Sequence, residues 1–183
     1  NWPERTAVID PLGAITFADL DTRADRSAAG LIDLGIRPGD RVLLQLPNST
    51  AFAVALFALL RAGAVPVMCL PGHRGAELDH FATVADAVGL VIADSAGGFD
   101  YRTMAVGLRE RHPNLRHVLV HGDAGPFTAW SQVVAQDGAR PDVPLPETSL
   151  PETSLPGTSR PALLLVSGGT TGFPKLIPRT HDD

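Results

Sequence analysis

The stretch RVLLQLPNSTAFAVALFALLRAGAVPVM, residues 41–68, decides the fold class of this chain. Residues 41–46 are almost continuously apolar, which is typical of a strand that is buried on both faces of a sheet. A helical pattern follows over residues 50–62 and ends at Gly63, and a second apolar run occupies residues 65–70. The order strand, helix, strand predicts a unit with two parallel strands joined by a helical crossover.

The same alternation continues on both sides of this unit. Before it, Thr16 and Asp19 resemble a helix-capping box, and Gly35 suits the residue that follows the last helical turn. Further helices are predicted at 76–88 and 101–111, and further strands at 90–93, 117–120 and 162–166. We therefore expect an α/β fold, with a mostly parallel sheet flanked by helices and right-handed crossovers. The expected core residues of the sheet are Leu43, Leu44, Val67, Val91, Ile92, Val118, Leu164 and Leu165.

Composition and charge narrow the classes of partner. The chain has 183 residues and a formal net charge of −5, which gives no reason to expect nucleic acid or an anionic membrane as partner. The longest apolar run, residues 51–60, is too short to span a bilayer, and no signal peptide is recognised at the start. Cys69 is the only cysteine, so an internal disulfide is impossible. These features favour a cytoplasmic protein.

A proline-rich segment divides the chain. Residues 138–161 contain PETSLPETSLPGTS, a short repeat whose prolines exclude a central strand or a helix, and we interpret it as an extended surface linker. The repeat resembles a sortase signal, but no apolar tail with basic residues follows it. The predicted division is an α/β subdomain over 1–137, the linker over 138–161, and a strand–loop–strand over 162–183 that begins a further, truncated subdomain.

The stretch SGGTTGFPK, residues 167–175, is the candidate binding site, and it follows a predicted strand end, where open α/β sheets bind ligands. Consecutive glycines allow backbone N–H groups to form an anion-binding nest, and the hydroxyls and the lysine add donors suited to phosphate. The alternative is a glycine hairpin without a ligand. Pro174 and Pro178 exclude the helix that a Walker A motif requires, so the loop is expected to join two strands. The candidate residues are Ser167, Gly168, Gly169, Thr170, Thr171, Gly172 and Lys175.

The longer stretch SGGTTGFPKLIPRTHDD, residues 167–183, resembles the phosphate-loop motif of the adenylate-forming superfamily. Gly168 and Leu176 depart from the usual Ser and Gly, and these departures are similar to the stand-alone aryl-acid adenylating enzymes. That subgroup comprises the 2,3-dihydroxybenzoate–AMP and salicylate–AMP ligases of siderophore biosynthesis. Other stretches that resemble it are ITFADLDTRAD (15–25), QLPN (45–48), LRAGAVPV (60–67), LPGHR (70–74) and GFDYR (98–102).

The resemblance implies the first part of the large N-terminal domain of such a ligase. The implied substrates are ATP with Mg²⁺ and an aryl acid, salicylate or 2,3-dihydroxybenzoate, and the implied partner is an aryl carrier protein with a phosphopantetheine thiol. The loop would hold the β- and γ-phosphates, whereas the aryl pocket, the magnesium ligand and the catalytic lysine of the family lie later in the sequence. The chain alone is therefore expected to be inactive, with no complete catalytic set. The alternatives are part of an acyl- or aryl-CoA ligase and a noncatalytic nucleotide-binding module.

For the following histidines, a structural role is favoured over metal or ligand binding. His117 and His121 lie on one face of a predicted strand, but no further ligands are placed to complete a zinc site. His73 follows a strand end, and we expect it to hydrogen-bond the loop backbone rather than to line the cleft. For His181, a cap or a hydrogen bond in the core is favoured over contact with a ligand.

Overall fold

The computed structural model describes residues 2–134, 161–168 and 174–183. The helices are α1 Phe17–Asp33, α2 Thr50–Arg61, α3 Gly75–Ala85, α4 Tyr101–Arg111 and α5 Trp130–Val133. The strands are β1 Thr6–Asp10, β2 Gly13–Thr16, β3 Arg41–Gln45, β4 Val65–Met68, β5 Gly89–Ala93, β6 Ser95–Ala96, β7 Phe99–Asp100, β8 His117–His121, β9 Thr128–Ala129, β10 Leu163–Val166 and β11 Leu176–Arg179.

One sheet organises the described part of the chain. Its strand order is β11-β10-β4-β3-β5-β8-β9, and every neighbouring pair is parallel except β10 with β11. The predicted α/β fold with a mostly parallel sheet is therefore confirmed. Two small antiparallel hairpins, β1 with β2 and β6 with β7, lie outside this sheet. The sequence analysis did not predict either hairpin, because their strands are short and half-exposed.

Local sequence signals set the helix ends. Thr16 and Asp19 form the predicted capping box at the start of α1, with the Asp19 N–H donating to Thr16 Oγ1 over 3.1 Å. Ser49 caps α2 by accepting from the backbone N–H of Phe52. Past the far ends of α1 and α2, Gly35 and Gly63 have φ angles of 100° and 72°, which only glycine adopts without strain.

The sheet separates two apolar clusters. Alternate strand residues point to opposite faces, so Leu44 packs with α1 and α2 whereas Leu43 packs with α3 and α4. The fully buried side chains include Leu31 and Leu59 on the first face and Phe81 on the second. Of the eight predicted core residues, six are buried: Leu43, Leu44, Val67, Val91, Ile92 and Val118. Each face thus has its own core, with the sheet as the shared wall.

Leu165 was predicted in the core, and that prediction is wrong. Its side chain is 37% exposed, and it pairs across β10 and β11 with Ile177, which is 39% exposed. Leu164 is half-buried and packs on the cluster that contains α3 and α4. The reason is position: β10 and β11 end one side of the sheet, so an apolar strand residue there can be covered on one face only.

Two predicted boundaries also need correction. The helix predicted at 76–88 ends at Ala85, because Asp86 adopts a left-handed conformation with φ 48°. Arg41 Nε donates to the carbonyl of Ala85 over 2.6 Å and satisfies this helix end from the neighbouring strand. The strand predicted at 65–70 ends at Met68, where the chain enters the turn that leads to α3.

The predicted linker falls almost wholly on residues 135–160, outside the described residues. After it, β10 pairs with β4 in the same sheet as the first segment. The division at residues 137 and 161 stays a prediction. Among the described residues, no helix is long and apolar enough to cross a membrane.

Candidate functional site

The base of the loop that was predicted to bind phosphate is closed by two hydrogen bonds. The Ser167 N–H donates to the Lys175 carbonyl over 2.9 Å, and the Lys175 N–H donates to Ser167 Oγ over 2.8 Å. These bonds continue the antiparallel pairing of Val166 with Leu176. Strands β10 and β11 therefore pair on either side of the predicted loop, and the two ends of the predicted motif meet in space.

The described part of the loop presents suitable donors. Ser167 is half-buried and Lys175 is exposed, so the lysine can extend from the loop base to a ligand. Because Ser167 Oγ accepts from Lys175, its own hydroxyl hydrogen remains available to an anion. Lys175 is also the only lysine in the sequence. Four predicted residues, Gly169, Thr170, Thr171 and Gly172, lie outside the described residues.

The loop base lies at a strand end, as predicted. Ser167 follows β10 directly, and β10 runs parallel to β4, so the two strands end at the same edge of the sheet. Ligands in open α/β sheets bind at this edge. Ser167 thus lies at the carboxyl ends of β10 and β4, on the ligand-binding edge of this class of sheet.

His80 joins this base from α3, and the sequence analysis missed it. Its Nε2 lies 3.1 Å from the Pro174 carbonyl oxygen, so the imidazole donates this hydrogen bond. The two residues are separated by 94 positions in the sequence. The residues around His80 in the sequence form an ordinary helical pattern and do not indicate a contact with residue 174. Only the tertiary fold identifies this contact.

The turn beside the loop is built around a buried glutamine. Gln45 Nε2 donates to the carbonyls of Leu70 and His73 over 2.9 and 3.0 Å. His73 Nδ1 accepts from the Leu70 N–H over 3.0 Å, and burial lowers the pKa of His73, which favours the neutral acceptor form. Tyr101 Oη donates to the Pro71 carbonyl. The predicted structural role of His73 is confirmed.

Within the part of the chain that the structure describes, the remaining histidines are not grouped as metal ligands. His117 and His121 lie in β8, and the described residues hold no group of three or more potential ligands around a common point. The His121 ring stacks on Trp130 with centroids 4.9 Å apart, and burial lowers its pKa to about 4. His181 is exposed, so of its two predicted roles the hydrogen bond in the core is wrong, whereas the cap stays a prediction.

A cavity of about 760 Å³ lies away from the loop, between α1, α2 and the end of β8. Arg23, His121 and Trp130 are among its lining residues, and none of the predicted phosphate-loop residues is. Its two unpaired polar atoms, Ser27 Oγ and His121 Nε2, are themselves closed to solvent. The lining also includes polar residues, Asp10, Arg23 and Ser131 among them, but none of them belongs to the predicted phosphate motif, so the strand-end loop remains the stronger candidate site.

Comparison with known proteins agrees with this geometry. The sequence model of one family, described as AMP-binding enzyme, matches residues 1–183, the whole chain. The chain belongs to the AMP-binding enzyme family. The match includes both strands that close the loop and the helix that carries His80.

Among relatives in this family, the salicyl-AMP ligase / salicyl-S-ArCP synthetase of Mycobacterium tuberculosis is 63% identical over the whole chain and 32% of its own length. The 2,3-dihydroxybenzoate-AMP ligase of Bacillus subtilis is 44% identical over 92% of the chain and 29% of its own length. The apo structure of Mycobacterium smegmatis MbtA has a TM-score of 0.83 and 59% identity, and the match covers 99% of the chain and 32% of that structure. The chain thus spans about a third of the length of these relatives, and it matches the N-terminal domain of adenylate-forming enzymes.

Proposed function

We propose that this chain is the N-terminal part of an aryl-acid–AMP ligase that acts in siderophore biosynthesis. The observation that carries the proposal is the closed loop base at the carboxyl end of β10, where Ser167 and Lys175 meet. The 63% identity to a salicyl-AMP ligase supports this class of ligase over the other family members. The aryl acid would be salicylate or 2,3-dihydroxybenzoate.

In the proposed reaction, the aryl carboxylate attacks the α-phosphorus of ATP, and pyrophosphate leaves as the bond to the bridging oxygen breaks. The residues of this chain hold the departing group. Lys175 places its positive charge against the β- and γ-phosphates, and the Ser167 hydroxyl donates to a phosphate oxygen. Gly168, Gly169, Thr170, Thr171 and Gly172 complete the proposed cradle.

The described residues offer groups that suit ATP but no set of ligands for magnesium. The exposed lysine and the free Ser167 hydroxyl hydrogen suit the phosphates of ATP. The described residues contain no group of three or more His, Cys, Asp or Glu that could hold a metal ion. We therefore assign no metal ligand to these residues and propose that the magnesium ligand comes from elsewhere in the protein.

The second half-reaction would use a carrier-protein thiol, whose sulfur attacks the acyl carbon as AMP leaves. No β- or γ-phosphate remains at that stage, so the loop should contribute little to this step. Since ATP and carrier proteins with phosphopantetheine are supplied inside the cell, we propose that the enzyme works in the cytoplasm.

The test is aryl-acid-dependent exchange of pyrophosphate into ATP, measured on the intact ligase with Lys175→Ala. We expect the exchange rate to fall on the order of 10²–10³-fold, because negative charge builds up on the pyrophosphate as it leaves. Acyl transfer from preformed aryl-adenylate should stay near the wild-type rate.

Arg179→Ala is the matched control, because it removes an exposed positive charge from the other end of β11. Exchange in this variant should equal that of the wild type. Wild-type exchange in Lys175→Ala would show that the loop is a glycine hairpin without a phosphate role. ATP binding by the wild type without any exchange would favour a noncatalytic nucleotide-binding module.

A further inference from the structure

The peptide group between Pro174 and Lys175 is held at both ends. Its carbonyl oxygen accepts from His80 Nε2 over 3.1 Å, and its N–H donates to Ser167 Oγ over 2.8 Å. A peptide group is planar and rigid, so two bonds on its opposite sides fix its orientation. The Lys175 carbonyl also accepts from Ser167, which fixes the backbone on the other side of the same residue. The direction in which the Lys175 side chain leaves the backbone is thereby set.

The support behind His80 is rigid. His80 lies on α3 between Leu78 and Phe81, and both of these side chains are fully buried in the cluster between α3, α4 and the sheet. The His80 and Phe81 rings lie 5.8 Å apart, so the imidazole is placed beside this core. Helix α3 thus presents a fixed donor to a backbone group of the loop, whereas Ser167 belongs to the loop base itself.

We propose that His80 is a positioning residue for Lys175. The inference rests on the proposed phosphate-binding function. It adds to the proposed site a residue that lies 95 positions before Lys175 in the sequence. His80 touches neither nucleotide nor aryl acid in this role. It acts by holding the Pro174–Lys175 peptide group, so that the ammonium group meets the pyrophosphate where charge develops. Displacements of about 1 Å in such a group are costly to the rate.

The test compares two substitutions at one position in the intact ligase. His80→Leu removes the donor, and we expect kcat for pyrophosphate exchange to fall about three- to tenfold, the scale of one lost hydrogen bond. The KM for the aryl acid should not change. His80→Gln retains an N–H donor of similar reach, and it should recover most of the lost rate.

His112→Leu is the matched control. His112 Nε2 lies 2.9 Å from Asp79 Oδ1 at the end of α4, so its loss removes a histidine hydrogen bond that does not reach the loop. This variant should keep the wild-type kcat. Circular dichroism and melting temperature establish that each variant is folded, and His80→Phe serves as the donor-free variant if leucine is not tolerated.

A double-substitution cycle separates positioning from a general structural effect. Because His80 acts through Lys175, adding His80→Leu to Lys175→Ala should change the rate by less than twofold, so the two effects are not additive. Additive effects, a wild-type rate in His80→Leu, or no recovery in His80→Gln would each overturn the inference. The proposed function would still stand in these cases, provided that Lys175→Ala lowers the exchange rate. Wild-type protein without aryl-acid-dependent exchange would overturn the proposed function and this inference together.

Discussion

At the residue scale, His121 is a side chain whose surroundings hold it neutral. Burial lowers its pKa from 6.5 to about 4, and its ring stacks on Trp130. Asp10 and Arg23 are the charged residues that line the adjoining cavity. Between these two pKa values the unfolded chain binds a proton that the folded chain does not bind. The stabilising contribution of neutral His121 is therefore fully present above pH 6.5 and is lost as the pH falls towards 4.

The variant His121→Phe keeps an aromatic ring against Trp130 and removes the titration. We expect the melting temperature of the intact protein to fall less in this variant than in the wild type between about pH 7.5 and about pH 5. His181→Phe, at an exposed position, should fall as much as the wild type. Equal falls in all three proteins would show that His121 is accessible to protons in the folded state.

At the element scale, α1 and α5 meet at a glycine. A Cβ atom built on Gly30 would lie within bonding distance of the Val133 carbonyl oxygen, so the two helices could not keep their present separation. Helix propensity alone favours Gly30→Ala, by about 1 kcal/mol. We expect the opposite. The free energy of unfolding should fall by about 2 kcal/mol or more, because the backbone at Val133 has to move away from the new methyl group.

Gly107→Ala is the comparison within α4, where the new Cβ would meet only the end of the Arg111 side chain, 3.3 Å away. That flexible side chain can move, so this variant should gain up to about 1 kcal/mol from helix propensity. Chemical denaturation of both variants measures whether each substitution lowers or raises the free energy of unfolding. If Gly30→Ala is also stabilised, the close contact between α1 and α5 does not exist in solution.

At the scale of the whole molecule, the reactivity of the single cysteine can show whether these 183 residues fold by themselves. Cys69 is buried, and burial raises the pKa of its thiol, so the reactive thiolate is suppressed in the folded state. A chain of this length can bury a core of its own, and both faces of the sheet carry one. We expect a thiol reagent to label the native 183-residue chain at least about 100-fold more slowly than the chain in urea.

The control is Cys69→Ala combined with Ser95→Cys, which moves the thiol to an exposed position. This variant should react at once in both conditions. Rapid labelling of Cys69 in native buffer would show that these residues need more of the protein in order to fold.

Much of this protein was determined locally by its sequence. Apolar strands alternating with capped helices specify parallel pairing, and Ser49 and Gly63 delimit α2 through interactions within a few residues. The loop motif, residues 167–175, identified the candidate site because its chemistry is contiguous in sequence. Such features depend on neighbouring backbone, so the chain order alone reveals them.

Only the tertiary structure decided the features that join distant residues. Leu165 is apolar and lies in a strand, yet it is partly exposed because its strand is near the end of the sheet. Gly30 is constrained by the carbonyl of Val133, and His80 reaches Pro174 across 94 positions. The physical reason is the same in each case: strand order and helix placement bring together groups whose sequence neighbours carry no record of the contact.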